Sequence, residues 1–464
     1  MDNLQNIKNV YFLGIGGIGM SALARYFKTT GRNVAGYDRT ETVLTKALQA
    51  EGIAVHYEDD IRNIPSNWNP GETLAVFTPA LPDDNNELAW FREKPISLLK
   101  RAKVLGLVCN ERNGIAVAGT HGKTTVSTMA AVILQKTEKS CGAFLGGISK
   151  NFESNLLLPQ ENSEWIVAEA DEFDRSFLHL QPQLALVTSL DADHLDIYGE
   201  KGKIVESFEK FISQIKPGGK LVLKKGVELD VQKTNAQVFS YALEGEADFC
   251  TMNLKLSSEG GFYEFDLRTP DGIISGCRLS YPGLINVENA VGAAALAFLA
   301  GATADEIKKG LDNYQGVQRR FDVKYNSGKQ VYIDDYAHHP AELKAVISSI
   351  KALYPNRKVT GIFQPHLYSR SRDFANEFAA SLDLLDEPVL VPIYPAREEP
   401  IPGITSETIF EKMQNENKHL VEKEKVAKLL ENRKTEIVLT MGAGNIDGIG
   451  NEIIDVLKQK EDVS

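Results

Sequence analysis

The chain has 464 residues, 43% of them apolar and 25% charged, the proportions of an ordinary globular protein, and at roughly 150 residues per domain its length predicts about three domains. A disulfide-stapled miniprotein, wholesale disorder and a membrane bundle are excluded, since the longest apolar stretch, about Ala290 to Ala302, is too short to span a bilayer. The 51 Lys and Arg face 63 Asp and Glu, a formal charge of -12 that opposes binding to a phosphate backbone, so neither nucleic acid nor a membrane is an expected partner. The first strand pattern begins almost at once, with no cationic head before it, which points to a cytoplasmic protein. Cys109, Cys141, Cys250 and Cys277 form no CxxC pair and are expected to be reduced, buried thiols.

The first hundred residues alternate strand patterns (Asn9 to Leu13, Asn33 to Tyr37, Thr73 to Phe77) with helical ones (Met20 to Thr29, Thr42 to Glu51). That is the grammar of a parallel sheet. Between the first strand and helix lies Gly14-Ile15-Gly16-Gly17-Ile18-Gly19, and Asp38 ends the second strand. Glycines there let the backbone approach a diphosphate at a helix N-terminus, and the acid suits a ribose. Gly14, Gly16, Gly17, Gly19 and Asp38 are therefore candidate ligand residues. The loop leaves open whether the diphosphate belongs to a dinucleotide or a UDP-sugar.

A second set of strands begins at Gly114 to Ala118 and continues through Trp165 to Ala168 and Leu184 to Thr188. Between the first of these and a helix starting near Val126 stands Gly119-Thr120-His121-Gly122-Lys123-Thr124-Thr125. This is a phosphate loop in which backbone N–H groups and Lys123 hold phosphates and the Thr124 hydroxyl faces Mg²⁺, although Val117 stands where the usual spacing has glycine. Two acidic segments follow at strand ends, Glu169 to Glu172 and Asp191 to Asp196, the second containing His194. Carboxylates beside a phosphate loop suit a hard cation such as Mg²⁺. After Phe321 a third α/β pattern runs through Gln330 to Ile333, Val359 to Phe363, Val389 to Ile393 and Glu436 to Thr440, with a helix at Pro340 to Leu353.

Taken in order, these segments resemble the Mur ligase family of peptidoglycan synthesis. The resemblance also takes in Gly316 to Phe321, Asp334 to Pro340, Gln364 to Arg370, Tyr394 to Glu398 and Met441 to Gly444, and so covers almost the whole chain. It implies an α/β protein of three domains: an N-terminal Rossmann-like UDP-binding domain (1–108), a central P-loop ATPase-type domain (109–320) and a C-terminal Rossmann-like domain (321–464) that takes the amino acid. It assigns the first glycine loop to a UDP-sugar instead of NAD, and implies UDP-N-acetylmuramate and L-alanine as substrates, with ATP and Mg²⁺. ATP would lie on Gly119 to Thr125 with Asn286, Asn289 and Arg320, a first Mg²⁺ on Thr124 and Glu169, and a second Mg²⁺ on Glu169 and His194. Lys123, Arg320, Asp335 and His338 would serve the reaction, and His366, Tyr368 and Arg370 the amino acid or sugar. The chain departs from the family pattern at Ser189, Ile285 and Leu367, and Phe208 lies in the stretch where sister ligases carry a carbamylated lysine.

Alternatives differ in what they leave unexplained. An NAD-dependent oxidoreductase uses Gly14 to Gly19 but not Lys123 and Thr124, and a nucleotide switch uses the phosphate loop but not Asp334 to Arg370. Within the family, a recycling ligase would attach a ready-made tripeptide to the same UDP-sugar.

Overall fold

A computed structural model describes residues 4–190, 201–257, 262–396 and 398–462. Three sheets organise them. The first contains β1 (Asn9–Leu13), β2 (Asn33–Tyr37), β3 (Ala54–His56), β4 (Thr73–Phe77) and β5 (Ser97–Lys100), in the order β3-β2-β1-β4-β5 and parallel throughout. Strand alternation distributes β1 between two cores. Val10 and Phe12 pack with Leu23 and Phe27 of α1 (Ile18–Thr29), whereas Tyr11 and Leu13 pack with Phe91 on the other face. Burial on both faces explains why the strand reads as one continuous apolar run.

The second sheet has ten strands: β6 (Asn113–Ala118), β7 (Cys141–Ser149), β8 (Ser154–Leu157), β9 (Trp165–Glu169), β10 (Leu184–Val187), β11 (Lys220–Lys224), β12 (Gln237–Ala242), β13 (Phe249–Leu256), β14 (Tyr263–Thr269) and β15 (Gly272–Leu279). Their order is β15-β14-β13-β12-β11-β10-β6-β9-β7-β8. Strands β13 to β15 form an antiparallel meander, which the sequence pattern did not suggest. Helices α2 (Val43–Ala50), α3 (Asn86–Glu93) and α4 (Arg101–Asn110) precede α5 (Lys123–Leu134), where every residue from Thr124 to Leu134 is buried. One core joins the first two sheets, running from Val10 and Phe27 through Val104 and Ala116 to Val187, Phe208 and Leu221. The buried Asn155 side chain at β8 ties them further: it donates to Ile18 O and Ser21 Oγ and accepts from Arg25 at 3.0 Å.

The third sheet contains β16 (Asp322–Asn326), β17 (Val331–Asp335), β18 (Val359–Phe363), β19 (Glu387–Leu390), β20 (His419–Leu420) and β21 (Ile437–Met441), in the order β16-β17-β21-β18-β19-β20. Only β16 runs antiparallel to its neighbour. Strand β19 begins and ends earlier than the sequence suggests, because Glu387 is buried within it and held by Lys358 at 2.8 Å and by Arg433.

Two compact units result. The described residues of the first fall within Met1–Ser257, Phe262–Ser280 and Glu288–Gln315, and those of the second within Tyr281–Val287 and Gly316–Ser464. All four cysteines are free and buried. Among the described residues no helix is long and apolar enough to cross a membrane.

Candidate functional site

In the first sheet the strand order reverses between β1 and β4, which opens a crevice at their C-terminal ends where α/β sheets bind ligands. The Gly14 to Gly19 loop sits there. Gly14 has φ +85°, and a Cβ on it would come 2.6 Å from Thr78 Cγ2 beyond β4. Asp38 braces this loop, since its Oδ2 accepts Gly16 N–H at 2.7 Å and its Oδ1 accepts Thr40 N–H at 3.1 Å. Helix α1 opens at Gly17 with no capping side chain, so its first N–H groups face the loop mouth. Arg101, opening α4, lies so close to Gly19 that a Cβ there would come 2.8 Å from its guanidinium, which is 3.9 Å from Asp171 of the acidic segment.

The second loop follows β6, and β9 and β10 are the two neighbours of β6. Topology alone therefore delivers Glu169 to Glu172 and Thr188-Ser189 to its sides. Gly119 has φ +129°, and any Cβ on it would overlap the Thr188 hydroxyl, while one on Gly122 (φ +82°) would meet Asn289 Oδ1 at 2.8 Å. Ser189, one of the departures from the family pattern, pairs its hydroxyl with Thr120 Oγ1 at 2.8 Å and accepts His121 N–H at 3.0 Å. The substitution keeps the loop braced. Gly122 is the N-cap of α5 in left-handed conformation, with no side-chain cap. The helix thus opens earlier than the expected Val126, since a backbone turn, not a polar side chain, starts it.

Lys123 reaches back along this loop. Its Nζ donates to Gly119 O at 2.7 Å and to Glu172 at 2.7 and 2.9 Å, with Glu172 almost wholly buried. Burial opposes the ammonium charge, but Glu172, Asp171 and Glu169 outweigh it and hold Lys123 above its usual range. Burial pushes the Glu172 carboxyl up, against the pull of Lys123. At the end of β9, Glu169 lies across Gly146, where any Cβ would collide with its carboxylate, and its buried Oε2 has no hydrogen-bond partner among the described residues. An unsatisfied carboxylate oxygen, the Thr124 hydroxyl and an uncapped helix start form a donor set that fits phosphate with a hard divalent cation. Such a cation takes its remaining ligands from phosphate and water, so a closed protein cage is not required. His194 and the rest of Asp191 to Asp196 lie outside the described residues.

The second unit gathers another cluster. Asp335 ends β17; its Oδ2 accepts Phe321 N–H at 2.7 Å and its Oδ1 accepts Ala337 N–H at 2.8 Å. Tyr336 lies beneath Arg320, whose guanidinium carbon is 4.9 Å from the ring centre. His338 Nδ1 is 2.9 Å from Tyr336 O, so the neutral ring donates there and carries its lone pair on Nε2. The His338 and His366 rings are 6.0 Å apart, His366 stacks on Tyr394, and Arg370 lies 3.5 Å from His366 Nδ1. Tyr368 opens the short helix Tyr368–Asp373, capped by Leu367 at φ +71°. Asn286 donates to Pro282 O at 2.6 Å. Sequence reasoning missed Arg319, which donates to Gly442 O at 2.7 Å and Gly444 O at 2.9 Å and lies 3.5 Å from the buried Asp334. It also missed the Lys123–Glu172 pairing.

Burial pushes the Asp335 carboxyl up to about 6, with Arg320 and the two N–H donors pulling the other way. The folded protein therefore holds this proton more tightly than the unfolded chain, and the associated stability is present below about pH 4 and lost as pH rises through 6. Asp335→Asn should remove this slope: from pH 4.5 to 7, wild type should lose about 2 kcal/mol relative to the variant. Urea unfolding at the two pH values measures it, and parallel curves would contradict it.

Three family models match the chain: Mur ligase family, catalytic domain over residues 9–113, Mur ligase middle domain over 117–297, and Mur ligase, glutamate ligase domain over 319–444. A UDP-N-acetylmuramate--L-alanine ligase of Phocaeicola vulgatus is 48% identical over 461 residues, covering 99% of this chain and 100% of that one. The crystal structure of UDP-N-acetylmuramate-alanine ligase MurC from Thermotoga maritima superposes with a TM-score of 0.80 at 26% identity, covering 97% of this chain and 99% of that one. A murein peptide ligase from Psychrobacter arcticus shares the fold, with a TM-score of 0.70 at 21% identity, covering 97% and 98%. By these matches, which extend over all three sheets, the chain belongs to the Mur ligase family.

Proposed function

We propose that this protein joins L-alanine to the lactyl carboxylate of UDP-N-acetylmuramate, using ATP, in the cytoplasmic synthesis of peptidoglycan precursors. The observation that carries this reading is 48% identity over essentially the full length of a relative that bears that activity in its name. A carboxylate in water is a poor acyl donor, and transfer of the γ-phosphoryl group from ATP makes its oxygen a leaving group, giving an acyl phosphate.

The residue roles follow from that chemistry. Gly14, Gly16, Gly17 and Gly19, braced by Asp38, take the UDP-sugar diphosphate. Gly119 to Thr125 take the ATP phosphates, with Asn286 and Asn289 near the nucleotide. Lys123 and Arg320 neutralise charge as the phosphoryl group moves, where positioning and electrostatics supply most of the catalysis. Two Mg²⁺ ions, one held by Thr124 and Glu169 and the other by Glu169 and His194, would supply further charge neutralisation when bound. The amine of L-alanine must be neutral to attack the acyl carbon, and Asp335 or His338 accepts its proton. His366, Tyr368 and Arg370 orient the amino acid or the sugar. The three proposed domains keep the boundaries 1–108, 109–320 and 321–464.

Acceptor competition tests the reading. With UDP-N-acetylmuramate, ATP and Mg²⁺, product mass should show a single added L-alanine and matching ADP release. Glycine, lacking one methyl, should be about 10- to 200-fold poorer. Preference for L-Ala-γ-D-Glu-diaminopimelate would assign the chain to the recycling ligases, and no ADP release with any acceptor would refute ligation.

A further inference from the structure

An ammonium has three N–H donors. On Lys123 all three are engaged: the close acceptors are Gly119 O at 2.7 Å, Glu172 Oε2 at 2.7 Å and Glu172 Oε1 at 2.9 Å, with Thr120 O farther off at 3.5 Å. The two partners differ in kind. Gly119 O is neutral and belongs to loop backbone fixed by its contacts with Thr188 and Ser189. Glu172 is an anionic side chain, 1% exposed, just beyond β9 at the head of the short helical turn Phe173–His179. Its carboxylate offers the ammonium what a phosphate would offer: two oxygens and negative charge. A phosphate arriving at Lys123 must take over at least one N–H, and like charges at contact distance repel. The exchangeable partner is therefore Glu172, not Gly119.

We propose that Glu172 is a positioning residue that occupies the phosphate's place on Lys123 and is displaced by the polyphosphate of an incoming nucleotide. The proposal rests on the ATP reading above. It explains why a carboxylate is buried against the phosphate loop although the cation-binding role falls to Glu169. Glu172 holds the lysine charged and folded back over its own loop, and its return to Lys123 assists departure of ADP.

Calorimetry on the full chain with ADP, inorganic tripolyphosphate and adenosine tests it. Glu172→Gln keeps the shape and one acceptor but removes the competing charge, so ADP and tripolyphosphate should bind about tenfold more tightly. Adenosine affinity should not change. In turnover, KM for ATP and kcat should both fall, a split that a merely structural role would not produce. Unchanged or weaker ADP binding by the folded variant would overturn the proposal. If Glu172→Gln fails to fold, Glu172→Asp takes its place; it draws the charge back by one methylene, and the same direction is expected. Failure of both to fold would assign Glu172 to loop structure and overturn the exchange. Wild type that binds neither ADP nor tripolyphosphate would refute the ATP reading itself.

Discussion

Lys123→Met should abolish ligation, lowering turnover by at least about 10²–10³-fold, the usual loss when one preorganised charge at a reacting centre is removed. The variant has a second, separable consequence. Glu172 remains almost wholly buried beside Asp171 with its cation gone. Breaking a buried ion pair from one side costs about 3–5 kcal/mol, a large share of a typical total stability of about 5–15 kcal/mol. Lys123→Met/Glu172→Gln removes the stranded charge and should recover most of the lost stability without recovering turnover. ADP release, thermal unfolding and calorimetry with UDP-N-acetylmuramate separate these effects. Sugar-nucleotide affinity should stay near wild type, because its diphosphate is assigned to the Gly14 to Gly19 loop. Equal loss of both ligand affinities in a folded variant would contradict separate phosphate sites.

Arg319→Ala should cost the protein about 3–5 kcal/mol although it touches no proposed substrate. The guanidinium satisfies two carbonyls of the Gly442 to Gly444 turn, faces the wholly buried Asp334 and a second carboxylate at Asp447, and lies over the Tyr336 ring at 5.2 Å. After truncation Asp334 keeps its bond from Thr440 at 2.6 Å but loses its cation. Arg319→Lys should recover little, because one ammonium cannot replace a planar fork aimed at two carbonyls and a carboxylate. Urea unfolding of the three proteins measures this. Wild-type stability in Arg319→Lys would show that the charge alone suffices.

Both glycine loops and the strands around them were legible in the sequence, for a common physical reason. Gly14, Gly119 and Gly122 adopt positive φ or face atoms that a Cβ would strike, so the chemistry leaves a visible mark in residue type. The adjacent arginines left no such mark. Arg319 and Phe321 both have positive φ, which turns Arg319 toward the Gly442 turn and leaves Arg320 over Tyr336. Neither residue type favours that conformation, so only the tertiary turn reveals it. The acids Glu169, Asp171 and Glu172 likewise look alike in sequence. Packing separates one across Gly146, one near Arg101 and one on Lys123. The meander β13 to β15 was missed because register shifts, between Met252 and Lys255 in β13 and between Ile274 and Cys277 in β15, interrupt the alternation of the two flanking strands, and β14 alone alternates strictly.

Asn155 bears on how such an enzyme can evolve. Its side chain grips Ile18, Ser21 and Arg25 on the first helix, and the apolar core beneath runs unbroken from β1 to β11. The Gly14 to Gly19 loop, proposed to take the sugar nucleotide, and the Gly119 to Thr125 loop, proposed to take ATP, thus stand on one compact unit with a shared core. A lineage could not acquire a new sugar-nucleotide specificity by importing a foreign first hundred residues alone. A donor segment would have to bring a helix that offers Asn155 a carbonyl and a buried hydroxyl in the same places, so side chains around the loop are the easier route to a new specificity.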